Sequence, residues 1–222
     1  MNVKSKQPAK DGQEKLAALF KSAVVIPVIA IERLEDAVPL ARALVAGGVR
    51  VLEVTLRTPV AIEAAKAIMA DVPEAIVGIG TILSAADLAR AEALGVQFGI
   101  SPGATPELLE AAAASRLPFA PGIATASELM QALAHGFNLV KFFPAESSGG
   151  IKALRALAGP FPDVRFCPTG GIGAANAAAW LAEPNVVAVG GSWLCPAADI
   201  RSGNWAGISA ICDSAMKSLK PA

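Results

Sequence analysis

The sequence predicts an α/β protein that folds as a (β/α)8 TIM barrel with an extra N-terminal helix. Its 222 residues match the usual length of one such barrel. Short β-rich runs alternate with helical segments rich in Ala and Leu from about residue 24 to about residue 193. Eight alternating units favour a closed barrel, because closure leaves no sheet edge, and an open doubly wound sheet is the alternative. We expect a single domain over residues 1–222, with the barrel core over about residues 24–217.

The strands and helices are assigned from β-rich runs and from helical patterning. Eight strands are predicted at residues 24–30, 49–56, 76–80, 97–100, 118–121, 139–143, 165–168 and 186–189. Seven helices are predicted between and after them at residues 34–46, 59–70, 85–94, 106–114, 126–134, 151–158 and 174–181. The eighth helix is predicted at residues 199–217 with a loop insertion near Gly203, and the extra helix at residues 13–21 after a loosely attached start before Leu16.

Glycine and proline support several of these boundaries. Gly47 and Gly48 follow one predicted helix and Gly95 another, where glycine supplies a left-handed residue that ends a helix. Pro59 and Pro106 each follow a threonine, the pattern of an N-cap residue with proline at the first helical position.

The composition excludes several classes of function. Hydrophobic residues make up 54% of the chain, yet no uncharged apolar run reaches the roughly 20 residues of a membrane span. The polar N-terminus does not resemble a secretory signal, so we predict a cytoplasmic protein without a membrane partner. The 19 basic and 19 acidic residues cancel, which indicates no nucleic-acid partner.

The scarcity of metal ligands restricts the chemistry further. With a single histidine and no CxxC pair among three cysteines, the sequence predicts no metal site and no cofactor. Catalysis must then depend on lysine, carboxylates, hydroxyls and backbone amides.

Charged residues interrupt the predicted strand at residues 49–56. Side chains alternate between the two faces of a strand, so one face carries three leucine and valine side chains that would pack under the helices. The other face, which would point into the barrel, carries Val51, Glu53, Thr55 and Arg57. Charges in a barrel interior are costly unless they are paired or used, so this face indicates a functional site or, alternatively, a structural Glu–Arg pair.

A single lysine, Lys141, lies within the apolar strand at residues 139–143. A poorly solvated lysine favours its neutral amine, the nucleophile that forms a Schiff base with a ketone. The alternative is a surface lysine whose ammonium group reaches solvent. Buried charges on two strands of one barrel together indicate an active site.

Glycine pairs lie just past the ends of the last two predicted strands, in the loops that follow them, as Thr169-Gly170-Gly171 and Gly190-Gly191-Ser192. Loops at these positions of a barrel often bind phosphate through backbone N–H groups, which glycine leaves accessible. The segments Gly78-Ile79-Gly80-Thr81 and Ser101-Pro102-Gly103 add polar and flexible positions to the same rim.

Several segments carry a specific resemblance to a known family, among them LEVTLRT, GIGT, SPG, VKFFPAE, CPTGGI and VGGSWL. Over about residues 24–195 the chain resembles the family of 2-keto-3-deoxy-6-phosphogluconate (KDPG) and 4-hydroxy-2-oxoglutarate (KHG) aldolases. The resemblance implies that Lys141 forms the Schiff base and that Glu53 transfers protons. It implies that the substrate is held by Arg57 and Thr81 at the carboxylate, by Phe143 beside the imine, by Pro102 at the rim, and by Thr169, Gly170, Gly171, Gly191 and Ser192 at the phosphate.

The resemblance implies a metal-independent class I aldolase that cleaves KDPG to pyruvate and glyceraldehyde 3-phosphate, with activity also on 4-hydroxy-2-oxoglutarate. It further implies a homotrimer. Three alternatives remain: an aldolase for the C4 epimer 2-keto-3-deoxy-6-phosphogalactonate, a phosphosugar isomerase or epimerase on the same barrel, and a non-catalytic phosphate binder. The last two give no reason for a lysine inside the barrel.

Overall fold

The computed structural model describes residues 7–219. The strands are β1 (Val25–Ile29), β2 (Val51–Thr55), β3 (Ile76–Gly80), β4 (Phe98–Ile100), β5 (Phe119–Ala120), β6 (Gly122–Ile123), β7 (Leu139–Phe142), β8 (Arg165–Pro168) and β9 (Val189–Gly191). The helices are α1 (Gln7–Ala23), α2 (Ala37–Ala46), α3 (Ala61–Asp71), α4 (Ala85–Leu94), α5 (Pro106–Ala114), α6 (Ala126–Ala134), α7 (Gly150–Ala158), α8 (Ala177–Leu181), α9 (Ala197–Ser202) and α10 (Trp205–Leu219), with a 3-10 turn at Leu34–Asp36 before α2.

Every strand pair in the described chain is parallel, which confirms the α/β class. One sheet has the order β5-β4-β3-β2-β1-β9, and a second has the order β6-β7-β8. Only Pro121 separates β5 from β6, and two isolated bridges, Phe166 with Val186 and Thr169 with Gly190, connect the second sheet to the β9 region. The carboxyl ends of parallel strands lie together, so residues that follow the strands can form one site.

The alternation of side chains along β2 and β7 divides the apolar core into two clusters. Leu52 and Val54 of β2 lie in the cluster between strands and helices, as predicted. Val51 of β2 and Leu139 of β7 belong to an inner cluster with Phe98, Ile100, Ala120, Cys167 and Ala188. The strands therefore curl around an apolar interior that several of them share.

Helix α1 packs against this inner cluster through Leu16, Ala17 and Phe20. The buried side chain of Gln13 donates from Nε2 to the carbonyl of Phe119, at 2.7 Å, and accepts from the N–H of Leu139, at 2.8 Å. The extra helix was thus correctly predicted, but it is Gln7–Ala23 rather than residues 13–21. The loosely attached start was wrong at Gln13, whose side chain is buried and bonded to two strands. The same prediction for residues 1–6 lies outside the described residues.

Two predicted helix starts are wrong because local polar groups form other bonds. Thr58 donates its hydroxyl to the carbonyl of Ile31, at 2.6 Å, so Pro59 does not open a helix and α3 begins at Ala61. The helix predicted from residue 174 begins only at Ala177, because the Asn176 side chain accepts from the N–H of Gly173 and holds a turn there.

Two strand boundaries also differ from the prediction. The last strand is Val189–Gly191 rather than residues 186–189, so Gly190 and Gly191 lie inside a strand and not beyond it. The predicted strand at 118–121 is divided at Pro121, whose missing N–H interrupts the hydrogen-bonding pattern.

Other predicted boundaries are confirmed. Thr105 caps α5 by accepting from the N–H of Leu108, with Pro106 at the first helical position. Gly48 and Gly95 adopt left-handed φ angles of 85° and 82° just past α2 and α4, and Gly203, at 68°, separates α9 from α10. Between residues 7 and 219, no helix has both the length and the apolar character needed to cross a membrane.

The bridging role of Gln13 generates a stability prediction. Gln13→Ala leaves a buried carbonyl and a buried N–H unpaired, so we expect unfolding to become easier by about 1–3 kcal/mol. Urea denaturation followed by circular dichroism measures this difference. Gln131→Ala, at an exposed position of α6, is the matched control and should change stability by less than about 0.5 kcal/mol. Equal effects of the two substitutions would contradict the bridging role.

Candidate active site

A lysine and a glutamate form a buried ion pair inside the strands. Lys141 Nζ lies 3.2 Å from Glu53 Oε1, and the two side chains are only 4% and 2% exposed. Such a pair is expensive to desolvate, so its burial is a strong indication of chemical use. At this distance Glu53 can accept a proton from the ammonium group or return one to it.

The parallel strands bring these two side chains together from separate sheets. Glu53 lies in β2, paired with Gly78 of β3, while Lys141 lies in β7, paired with Cys167 of β8. Gly80 makes room for the carboxylate, because a Cβ atom there would overlap Glu53 Oε1. This role of Gly80 was not predicted, since nothing in a strand pattern indicates which side chain crosses over a glycine.

An aromatic ring and an arginine lie close to the pair. Phe143 directly follows β7, and its ring centroid is 5.3 Å from Lys141 Nζ. Arg57 is exposed, and its Nε donates to Thr81 Oγ1 at 3.3 Å. Thr81 has a φ of 60°, a strained conformation for a β-branched residue, and such strain tends to occur at functional sites.

Seven of the predicted site residues line one cleft of about 130 Å³. They are Arg57, Phe143, Thr169, Gly170, Gly171, Gly191 and Ser192. Val28 and Ile172 also line it, and they were not predicted because apolar residues in strands and loops carry no functional signal. Thr81 and Pro102 lie outside the lining of the cleft, although Thr81 accepts a hydrogen bond from the lining residue Arg57.

The glycine end of this cleft offers backbone donors. Gly170 and Gly171 have left-handed φ angles of 102° and 77°, which favour glycine. Among the hydrogen bonds of the described residues, neither glycine N–H donates to an acceptor. Gly190 lies so close to Thr169 that a Cβ atom at residue 190 would overlap the threonine hydroxyl. This end of the cleft therefore has the free amides that an anionic oxygen requires.

The cysteines are buried thiols. Burial raises the pKa of Cys167 to about 12, although the nearby positive charge of Lys141 acts in the opposite direction. Burial likewise raises the pKa of Cys195 to about 12 and that of Cys212 to about 11. A thiol that stays protonated is a poor nucleophile, so Cys167 serves packing next to the lysine. In the part of the chain that the structure describes, no three His, Cys, Asp or Glu residues cluster as metal ligands.

Comparison with known proteins identifies the family. The family model for KDPG and KHG aldolase matches residues 16–211. A 2-dehydro-3-deoxy-phosphogluconate aldolase of Dickeya dadantii (strain 3937) is 54% identical, over 86% of this chain and 90% of the relative. A KHG/KDPG aldolase of Escherichia coli (strain K12) is 50% identical, over 95% of this chain and 99% of the relative.

A solved structure matches in three dimensions. It is the KDPG aldolase from Legionella pneumophila with pyruvate captured at low pH as a covalent carbinolamine intermediate, and it is 49% identical with a TM-score of 0.88. The match covers 90% of this chain and 97% of that structure. The matched family, together with the parallel fold and the buried lysine–carboxylate pair, indicates an aldolase of the Schiff-base class. The chain belongs to the KDPG and KHG aldolase family.

The raised cysteine pKa values predict slow thiol chemistry. At pH 8 we expect the native protein to react negligibly with Ellman's reagent, because all three thiols are protonated and buried. In 6 M guanidinium chloride the same assay should detect three thiols per chain. Rapid reaction of one thiol in the native protein would show that a cysteine is accessible and ionised after all.

Proposed function

We propose that this protein is a class I aldolase that cleaves KDPG to pyruvate and glyceraldehyde 3-phosphate through a Schiff base on Lys141. The observation that carries the proposal is the buried contact of 3.2 Å between Lys141 Nζ and Glu53 Oε1. Phe143 connects this pair to the cleft, because its ring lies near Nζ and also lines the cleft. Family membership supports the same reaction and extends it to 4-hydroxy-2-oxoglutarate.

Schiff-base formation requires proton transfer at each step. Glu53 accepts a proton from the Lys141 ammonium, and the neutral amine adds to the C2 carbonyl to give a carbinolamine. Glu53 then returns the proton to the C2 hydroxyl, which leaves as water when the protonated imine forms. The carboxylate is within hydrogen-bonding distance of Nζ, so one group can serve both transfers.

Bond cleavage uses the imine as an electron sink. Glu53 removes the proton from the C4 hydroxyl, the C3–C4 bond breaks, and its electron pair moves into the imine to form a neutral enamine. The aldehyde product leaves, the enamine is protonated at C3, and water hydrolyses the imine to release pyruvate. This route needs no metal ion, so metal independence is part of the proposal, and turnover should be unaffected by EDTA.

The polar groups of the cleft suit the two charged ends of the substrate. Arg57 offers a guanidinium that can bind the planar pyruvate carboxylate by two hydrogen bonds, and its contact with Thr81 supports that orientation. Thr169, Gly170, Gly171, Gly191 and Ser192 would hold the phosphate, and the unpaired amides of Gly170 and Gly171 support this assignment. Pro102 would contact the substrate from the rim.

We also propose that the strands close into one (β/α)8 barrel that forms a single domain over residues 1–222. The continuity of the chain from β5 to β6 supports closure on one side. The bridge between Thr169 and Gly190 supports it on the other side. With β5 and β6 counted as one interrupted strand, eight strands each precede a helix.

Assembly, location and epimer preference remain predictions. The homotrimer can be tested by light scattering after size-exclusion chromatography, and the cytoplasmic location by cell fractionation. The two relatives described above are named as aldolases of the gluconate substrate, and this favours the gluconate epimer for this chain. Equal turnover of the gluconate and galactonate epimers would overturn a strict preference.

The covalent step predicts a trapped adduct. Incubation with pyruvate and sodium borohydride should add one reduced pyruvate per chain at Lys141, because borohydride reduces the imine. Peptide mass spectrometry locates the modified residue. Lys141→Ala should abolish the adduct, whereas Lys152→Ala, at an exposed position of α7, should leave it unchanged. A wild-type protein without the adduct, or an undiminished yield in Lys141→Ala, would rule out this mechanism.

The proton-transfer role of Glu53 predicts a loss of rate. Glu53→Gln keeps the size of the side chain but removes the base, so kcat should fall about a hundredfold or more. Steady-state assays with KDPG measure the fall, and thermal melting checks that the fold survives. Glu63→Gln, on the exposed face of α3, is the matched control and should retain full turnover. Near-normal turnover of Glu53→Gln would remove Glu53 from this role.

A further inference from the structure

The glutamate of the VKFFPAE segment, Glu146, has no role in the reaction proposed above. It lies in the turn between β7 and α7, close to the chain that carries Lys141 and Phe143. Its Oε1 atom accepts two hydrogen bonds, from Asn176 Nδ2 at 3.0 Å and from Trp180 Nε1 at 2.8 Å. Both donors belong to the segment that follows the glycine end of the cleft.

The first of these donors, Asn176, also bonds at two points to the loop at residues 170–173, which we call the glycine loop. Its Nδ2 also donates to the carbonyl of Gly171 at 3.1 Å, and its Oδ1 accepts from the N–H of Gly173 at 2.8 Å. A side-chain amide has two donor hydrogens, and here one is directed to Glu146 and one to the loop. Glu146 thereby determines the orientation of the amide that holds the loop.

Backbone bonds attach the same loop to the turn that carries Glu146. The N–H of Ala145 donates to the carbonyl of Thr169 at 2.8 Å, and the N–H of Glu146 donates to the carbonyl of Gly170 at 3.0 Å. A Cβ atom at Gly171 would overlap the Glu146 side chain. The glycine loop is therefore packed directly against Glu146, with the carbonyls of Thr169 and Gly170 directed to the turn and the amides of Gly170 and Gly171 unpaired.

We propose that Glu146, Asn176 and Trp180 form a positioning clamp that holds the amides of Gly170 and Gly171 in place for the phosphate end of the substrate. This inference rests on the proposed function, because it assigns the glycine loop to phosphate binding. None of the three clamp residues lines the cleft, so each acts through the loop rather than on the substrate.

The acceptor oxygen of Glu146 is the essential group of the clamp. Trp180 is fully buried, so its indole N–H would be left unpaired if Glu146 were shortened. Asn176 would lose the partner that orients its amide. Glutamine at position 146 keeps an oxygen for both donors and, because Glu146 is exposed, its amide nitrogen can remain in water. Alanine removes the acceptor entirely.

The decisive experiment compares a phosphorylated substrate with pyruvate, which lacks the phosphate end. For Glu146→Ala we expect KM for KDPG to rise about tenfold, the usual size of losing a hydrogen bond to a charged group. The pyruvate concentration that gives half-maximal borohydride trapping on Lys141 should change less than about twofold. Glu146→Gln should keep both values within about threefold of wild type.

A second variant keeps the test valid if Glu146→Ala does not fold. Asn176→Ala removes the contacts to Gly171 and Gly173, and it should raise KM for KDPG with the same unchanged response to pyruvate. Inhibition by inorganic phosphate gives an independent measure, since its inhibition constant should rise in the same variants. In the double variant Asn176→Ala, Trp180→Phe, the rise in KM for KDPG should be smaller than the two single substitutions would give if they acted independently. The reason is that these residues act as one unit.

Three outcomes are distinguishable. Unchanged KM for KDPG in both Glu146→Ala and Asn176→Ala would overturn the clamp and leave the aldolase proposal intact. Equal shifts in KM for KDPG and in the pyruvate concentration for half-maximal trapping would assign these residues a general structural role and would also overturn the clamp. A wild-type protein that neither cleaves KDPG nor traps pyruvate would instead contradict the proposed function.

Discussion

The buried ion pair of Lys141 and Glu53 is the constraint on which the rest of the structure depends. Two charges removed from water are costly, and removing either partner would leave the other uncompensated. The surrounding residues accommodate the pair sterically: Gly80 leaves space for the carboxylate, and the ring of Phe143 lies against the ammonium. A site that tolerates this pair must have rigid strands on both sides, because small displacements would separate the two charged atoms.

The parallel arrangement of strands supplies that rigidity and separates the interior into two parts. At one end α1 packs apolar side chains against the inner cluster, and Gln13 joins β5 to β7. The polar residues gather at the other end, where the strands finish and the glycine loop begins. Stability and chemistry thus depend on different ends of the same strands, as is general for parallel α/β barrels.

The sequence predicted the strands that carry the site better than the segments around them. Strand alternation correctly placed Glu53 inward and Leu52 and Val54 outward, because a period of two is a local property of an extended chain. The helix start at Pro59 was wrong because Thr58 bonds a distant carbonyl, which no local pattern reveals. Gly190 and Gly191 were predicted beyond the last strand for the same reason, since their pairing with β1 is a tertiary contact.

By itself the sequence determined the α/β class and the inward positions of Lys141 and Glu53, because these follow from the periodicity and the apolar character of the strands. Only the tertiary structure decided that Lys141 and Glu53 approach to 3.2 Å, since 88 residues separate them along the chain. It also decided that Gly80 makes room for Glu53 and that Glu146 orients Asn176 against the glycine loop. Contacts between distant segments depend on how the strands curl, and that geometry is not a property of any one segment.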